Sequence, residues 1–223
     1  MDRFRDFARK VSHNSMRTAW VLKCDVRKFF ASIDHNILKS IVKHSIYDTD
    51  AVWLLEQVID SFHTEDRMGA GSPSSRLGRA GLPLGNLTSQ LLANAYMNEF
   101  DQFMKRELRI RYYVRYADDF VVVHESRRYV TGLIPKIAKF LEVRLALSLH
   151  PGKVSVTTFA SGVDFLGWVH FPHHRTLRTS TKRRMLKVLA RRQTDATLAS
   201  YLGLLSHGNT RKLIRKIVAL HAK

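Results

Sequence analysis

An α+β fold is what this sequence predicts, and three observations predict it. Segments with helical spacing and short runs of β-formers are mixed along the chain without strict alternation. Two of those runs, residues 111–116 and 120–124, are separated only by Ala117-Asp118-Asp119 and read as strands joined by a tight acidic turn. From Thr181 onward the pattern turns basic and helical, with a break at Gly208-Asn209.

Taken in order, residues 1–19 are polar and basic, and Phe4, Phe7 and Val11, spaced three and four apart, predict a short amphipathic helix. Trp20–Asp25 reads as a buried strand that ends on a carboxylate. An Asp in that place is costly unless it is paired or metal-bound, so Asp25 is a natural third carboxylate beside Asp118 and Asp119. Ser32 and Asp34 are N-cap candidates for a helix over about residues 36–47. Thr49 is the candidate cap of another over about 50–63, with Val52, Leu55, Val58, Ile59 and Phe62 turned inward. Residues 64–86 are loop-like, carrying Gly69, Gly71, Pro73, Gly78, Gly81, Pro83 and Gly85. This loop feeds a long helix over about 87–108, whose Leu91, Leu92, Ala95, Phe100 and Phe103 should pack under the sheet. A glycine-rich loop entering a helix suits close approach to a phosphate or sugar; it also suits an ordinary surface loop.

A helix over 128–145, weakened at Gly132 and Pro135, precedes strand-like pieces over 145–149, 154–159 and 163–171. The tail contains helices over about 182–192, 196–205 and 210–222, whose Lys and Arg should face outward, as suits a nucleic-acid backbone. The chain has 223 residues, 45% of them apolar, enough for one large domain or two small ones with an ordinary core. Lys and Arg number 37 against 19 Asp and Glu, a formal charge of +18 spread along the chain. Such a field attracts polyanions, nucleic acid first among them, with an affinity that falls as salt rises. The single cysteine, Cys24, excludes an internal disulfide and a cysteine-based zinc cage, and reads as a buried structural thiol. His170, His173 and His174 lack helical spacing and nearby Cys, and read as part of a turn rather than a zinc site. No segment approaches the roughly 20 apolar residues of a membrane span. A soluble cytoplasmic protein, with no membrane partner, is the expectation.

Two adjacent carboxylates at a hairpin tip repel each other and are held cheaply in water or against a cation. The alternatives are therefore a solvated acidic turn and a site for Mg²⁺, a hard ion that prefers oxygen ligands. Three Asp residues on two strands, a glycine loop entering a helix and a basic tail are the parts for two-metal phosphoryl transfer. In that chemistry two ions roughly 3.5–4 Å apart activate an attacking 3′-oxygen and neutralise a leaving pyrophosphate. Asp25 and Asp118 would bridge the ions, with Asp119 as auxiliary carboxylate.

With these motifs in order, the chain resembles a bacterial reverse transcriptase. LKCDVRKFFASIDH (residues 22–35) is similar to the first catalytic motif of the palm in that family, GLPLGNLTSQLLANAYMNEFD (81–101) to the second and YADD (116–119) to the third. LSLHPGKV resembles the lysine-bearing fourth motif, DFLGW the primer-grip hairpin, and SYLGLLSHGNTRKL the thumb. The resemblance implies a right-hand palm, an antiparallel sheet backed by helices, over residues 20–174. A helical basic thumb would occupy 175–223, and 1–19, with Arg3–Lys10 and Arg17, would be the remnant of truncated fingers. It implies an RNA-directed DNA polymerase that adds deoxynucleotides to a DNA or RNA primer on an RNA template. Two Mg²⁺, with Mn²⁺ as substitute, would be held by Asp25, Asp118, Asp119 and Val26.

The resemblance also gives roles to single residues. Phe30 stands where these enzymes carry an aromatic gate against a 2′-hydroxyl. Val26, Leu84, Gly85 and Gln90 would line the deoxynucleotide site, and Lys153 would act as general acid toward pyrophosphate. Gly167 and Trp168 would hold the primer end; a core aromatic is the competing assignment for Trp168. Pro83-Leu84-Gly85 replaces the family's Pro-Gln-Gly, and Ser89-Gln90 its Ser-Pro. LGNLTSQ is similar to the enzymes of diversity-generating retroelements, which implies error-prone copying and admits a small basic accessory protein as partner. Retron, group II intron and phage-defence enzymes are the related alternatives, and an idle nucleic-acid-binding remnant is the alternative of another class.

Overall fold

A computed structural model describes residues 2–62, 79–191 and 194–221. Gly69, Gly71, Pro73 and Gly78 of the long loop, and His63, lie outside the described residues. In chain order the elements are α1 (Asp2–Val11), β1 (Trp20–Asp25), α2 (Phe29–Ser32), α3 (His35–Ser45), α4 (Thr49–Asp60) and α5 (Leu87–Gln102). There follow β2 (Tyr113–Tyr116), β3 (Asp119–His124), α6 (Arg127–Leu145), β4 (Ser155–Thr158), β5 (Val163–Phe165), β6 (Trp168–His170) and β7 (Arg175–Leu177). The chain closes with α7 (Thr179–Arg191), α8 (Asp195–Leu205) and α9 (Arg211–His221). The α+β expectation holds. The chain packs as two compact units, Leu22–Val156 and Met1–Val21 with Thr157–Lys223.

In the unit Leu22–Val156 the sheet has strand order β2-β3-β1-β4. Along β3, Phe120, Val121, Val122 and Val123 are all buried, as are Leu22 and Cys24 of β1, so this is the covered centre of the sheet. β2 and β3 pair antiparallel with Tyr116 opposite Asp119. The turn is therefore two residues, Ala117-Asp118, rather than the three expected, and Asp119 is the first residue of β3. Ala117 takes a positive φ of 53°, as the first turn position of the tight hairpin loops that match strand twist requires. Helix α5 buries Leu92, Ala93, Tyr96, Met97 and Phe100, whereas Leu91, expected inward, is 67% exposed. Its last turn, Phe103–Glu107, loosens into a π-helix.

Several local expectations are corrected. The N-cap of α4 is Asp48, whose side chain accepts from the Ala51 N–H, not Thr49. Helix α3 is capped as expected by Asp34, which accepts from the N–H groups of Asn36 and Ile37. Helix α6 runs unbroken through Gly132 and Pro135, from its Ser126 cap. No strand forms over 145–149: Leu145 ends α6, and only a single bridge joins Val26 to Leu149. The piece read as one strand over 163–171 is a hairpin, β5 and β6, turning at Leu166-Gly167.

In the unit Met1–Val21 with Thr157–Lys223, β5, β6 and β7 form an antiparallel sheet. β7, three residues long, was not expected. Helix α1 buries Phe4, Ala8 and Val11. The Phe4 ring meets Phe159, Phe165 and His170 edge-on, with centroids 5.9, 5.6 and 5.3 Å away. Trp168, 1% exposed, packs with Leu177, Met185, Leu205 and Ile217 and so ties the sheet to the terminal helices. Lys182, Arg183, Arg184 and Lys187 of α7 face solvent.

Candidate active site

Three chain segments meet around Asp25. Beyond β1 the Val26 N–H donates to the Asp118 carbonyl of the hairpin turn at 3.2 Å. On the other side the Arg27 N–H donates to Ser148 O (2.9 Å) and the His150 N–H to Asp25 O (2.8 Å). These bonds extend the sheet past its regular end and set Asp25 between the Asp118-Asp119 pair and the His150–Lys153 turn. The Lys153 ammonium reaches both Asp25 oxygens at 3.0 Å. Lys23, two residues before Asp25 and on the same side of β1, pairs with Asp119 at 3.5 Å.

The electrostatics follow from this crowding. Burial lifts the Asp119 carboxyl to about 6; Lys23 opposes the shift, and Asp25 and Asp118 add to it. Burial also raises Asp118, with Asp25 contributing and Lys153 opposing. Asp119 Oδ1 is buried without a hydrogen-bond partner, a costly state for a carboxylate oxygen. The Cys24 thiol, fully buried between these strands, is pushed up to about 12 by burial and then by Asp119; it is an inert core group. Among the described residues no three His, Cys, Asp or Glu side chains already converge as a metal cage; the two lysines hold Asp25 and Asp119 instead.

The turn that presents Asp118 is braced from α5. Arg115 places a fork on Asp101, Nε to Oδ1 at 2.9 Å and Nη2 to Oδ2 at 2.7 Å, while its Nη1 donates to the Ala117 carbonyl at 3.0 Å. The Tyr113 hydroxyl donates to the same Asp101 at 2.7 Å, and burial with that carboxylate raises its pKa. Sequence reading missed this brace. The only signal for it was an Arg three residues before the acidic pair.

A second cluster forms around Phe30. Phe29 is buried at 3% exposure while Phe30 is half-buried, their rings 5.2 Å apart. The backbone stitches this segment to the glycine loop: Leu82 N–H to Phe30 O at 2.8 Å, Gly81 N–H to Ile33 O at 2.9 Å, and His35 Nε2 to Gly81 O at 2.8 Å. Just beyond, Leu84 (78% exposed), Gly85 (φ 92°) and Gln90 stand open at the start of α5. Tyr96 locks the floor, accepting from the Asp34 N–H at 3.3 Å and donating to Leu145 O at 2.6 Å.

Gly167 lies in the β5–β6 turn with φ 81° and open space where a Cβ would sit. Trp168 is a core residue there, its ring under Arg175 and tight against Gly208. His170 is buried and gives Nε2 to Phe165 O at 3.2 Å, whereas His173 and His174 are exposed in the turn that follows.

Carboxylates on neighbouring antiparallel strands, backed by helices, form a polymerase-type domain. The solved structures similar to this chain have that fold. Apo telomerase from Candida tropicalis superposes with a TM-score of 0.55 at 11% identity, covering 82% of this chain and 37% of the telomerase. The same enzyme lacking its C-terminal domain gives 0.54 at 10% identity, over 79% of this chain and 39% of that one. The chain belongs to the reverse transcriptase (RNA-dependent DNA polymerase) family, whose model matches residues 2–170. Protein YkfC of Escherichia coli (strain K12) is 26% identical over 206 residues, 78% of this chain and 51% of YkfC. A putative COX1/OXI3 intron 2 protein of Saccharomyces cerevisiae is 21% identical over 204 residues, 67% of this chain and 23% of the relative. The chain thus spans about half the length of the first relative and about a quarter of the second. Among the described residues no helix is long and apolar enough to cross a membrane.

Proposed function

We propose that this chain carries the catalytic core of an RNA-directed DNA polymerase, extending a DNA or RNA primer with deoxynucleotides on an RNA template. The observation that carries this reading is Asp25, held between the Asp118 turn on one side and the Lys153 turn on the other. Family membership supplies the reaction class. In this reading residues 20–174 are the palm, 175–223 the thumb and 1–19 a part of the fingers, in a cytoplasmic protein.

The donor set suits hard divalent cations: carboxylates of Asp25, Asp118 and Asp119 with the Val26 carbonyl, including the buried, unpartnered Asp119 Oδ1. Bound there, a pair of Mg²⁺ or Mn²⁺ ions would acidify the primer 3′-hydroxyl and balance the charge of the leaving pyrophosphate. Lys153, moved off Asp25, is then free to hand a proton to a pyrophosphate oxygen. Phe30, half-buried beside the glycine loop, sits under the sugar and excludes a 2′-hydroxyl. Leu84, Gly85 and Gln90 line the base-pair side of the same pocket. Gly167 meets the primer end, with Trp168 anchoring its turn from the core.

Copying is error-prone in this proposal, as in diversity-generating retroelements, because Leu84 offers an incoming base pair neither a donor nor an acceptor. A small basic accessory protein would then be a further partner. The yeast relative's name, an intron protein, favours a second reading, an intron-type enzyme. Primer extension on an RNA template with Mg²⁺ and deoxynucleotides tests the core proposal. Extension should vanish in Asp118→Ala, and extension that persists removes the carboxylate assignment. Sequenced products should carry fewer errors from Leu84→Gln than from the unaltered protein if copying is error-prone; equal error rates favour the intron-type reading.

A further inference from the structure

The end of the β2–β3 ribbon opposite the acidic turn carries a second chemistry. From Asp119 to His124 the strand runs six residues, which at about 3.4 Å per residue puts its far end roughly 17 Å from the carboxylates. There the Val123 N–H donates to Tyr112 O at 2.9 Å, so the antiparallel register continues one pair beyond β2 and brings Arg111 opposite His124. Arg111 lies over the Tyr112 ring, 5.3 Å from its centroid. His124 stacks on Tyr129, centroids 4.0 Å apart and planes within 24°. That stack is held from below, because the Ser126 N–H donates to His124 Nδ1 at 3.0 Å and Ser126 Oγ caps α6 by accepting from the Tyr129 N–H. Tyr129 nevertheless keeps 38% of its surface exposed. Arg111, opposite His124 in the register, and Arg128, next to Tyr129 in the chain, are both exposed, as is the acidic Glu125.

A solvated charged face would not need a pre-stacked aromatic pair fixed by the helix cap. A fixed ring pair with exposed guanidinium groups on the neighbouring strand and helix start is what an unpaired base and its flanking phosphates require. The ring supplies a π-face that any base can use, and the cations supply the backbone contacts. Duplex fits poorly, because its bases are already stacked on one another.

We propose that this end of the ribbon is a second binding site for single-stranded RNA, seating one splayed base on Tyr129 and its neighbouring phosphates on Arg111 and Arg128. The site is distinct from the carboxylate cluster. It does not depend on the polymerase assignment, since binding is read without metal or deoxynucleotides.

The test is fluorescence anisotropy with a labelled oligouridylate twelve-mer in chelator, across a salt series, on the full chain. Tyr129→Ala should weaken binding about tenfold, the scale of one lost base stack, while Tyr129→Phe stays within about twofold. Arg111→Ala with Arg128→Ala should lower the slope of log affinity against log salt by about 1.4, two phosphates' worth on a single strand. A blunt RNA duplex should respond to neither Tyr129 variant. Circular dichroism checks folding, and if Tyr129→Ala does not fold, Tyr129→Leu replaces it with the same expected loss. Unchanged affinity in the alanine or leucine variant overturns the site. So does an equal loss for duplex, or competition by polyglutamate that matches unlabelled oligouridylate and would mark an acidic protein surface as the ligand.

Discussion

His170 makes the fold acid-sensitive in a way that can be calculated. Burial holds its imidazole near pKa 4, with Arg175 and Arg5 adding to the shift and the Phe165 carbonyl opposing it. In the unfolded chain the same group titrates near 6.5. Above pH 6.5 it is neutral in both states and contributes nothing to the pH dependence. As pH falls below that value the unfolded chain takes up a proton that the folded one refuses. Stability therefore drops by up to about 1.4 kcal/mol per pH unit until the folded pKa is reached near pH 4. Between pH 7 and pH 5 this integrates to about 2 kcal/mol, or roughly 4–8 °C in Tm for a chain of this size. His170→Gln keeps a donor for Phe165 O and does not titrate. Urea denaturation of both proteins at pH 7, 6 and 5 isolates the histidine, since every carboxylate is common to the pair. The difference between them should change by about 2 kcal/mol over that range, the unaltered protein losing more. Parallel curves would refute the burial argument and place a proton on the folded imidazole.

Three further outcomes follow from the geometry. Arg115→Met should destabilise the Leu22–Val156 unit by about 2–3 kcal/mol in thermal denaturation, because Asp101 loses its bidentate partner in a half-buried setting. Arg115→Lys should recover only part of that, since an ammonium cannot span Asp101 and the Ala117 carbonyl together. Gly208→Ala would drive a methyl into the Trp168 ring; about 1–3 kcal/mol should be lost, with a change in near-ultraviolet dichroism that Gly203→Ala, where the space is open, does not share. Lys153→Ala should slow primer extension about 10²-fold or more with little change in primer affinity, the mark of a proton donor rather than a binding group.

Much of this fold was legible because its signals are local. Trp20–Asp25 appeared as a strand from an apolar run, and Asp34 as a cap from its place before a helical pattern. What stayed hidden depended partly on partners elsewhere in the chain and partly on choices between near-equivalent local signals. Asp119 reads as a turn residue; it is instead the first residue of β3, opposite Tyr116 and paired with Lys23 on the adjacent strand, and nothing in ADDF announces that. Asp48 and Thr49 are both able caps, and the side-chain bond to Ala51 decides between them. Leu91 looks like core until Leu92, Tyr96 and Phe100 fix the phase of α5. β7 is three residues long, too short for any periodicity. Around the site, the acids and Phe30 were visible as motifs. The Arg115 fork and the Tyr96 lock were not, because one joins a strand to a helix 14 residues earlier and the other joins residues 49 and 62 apart.

Lys23 and Lys153 give the acidic cluster resident counter-charges of its own. A zinc finger stripped of its ion unravels, but a cluster already balanced by ammonium groups has no such dependence. Chelation should therefore leave the fold intact even as it stops the proposed primer extension. In the proposed metal site each incoming cation would have to evict a tethered competitor, so occupancy would track the free divalent concentration instead of being locked in at folding.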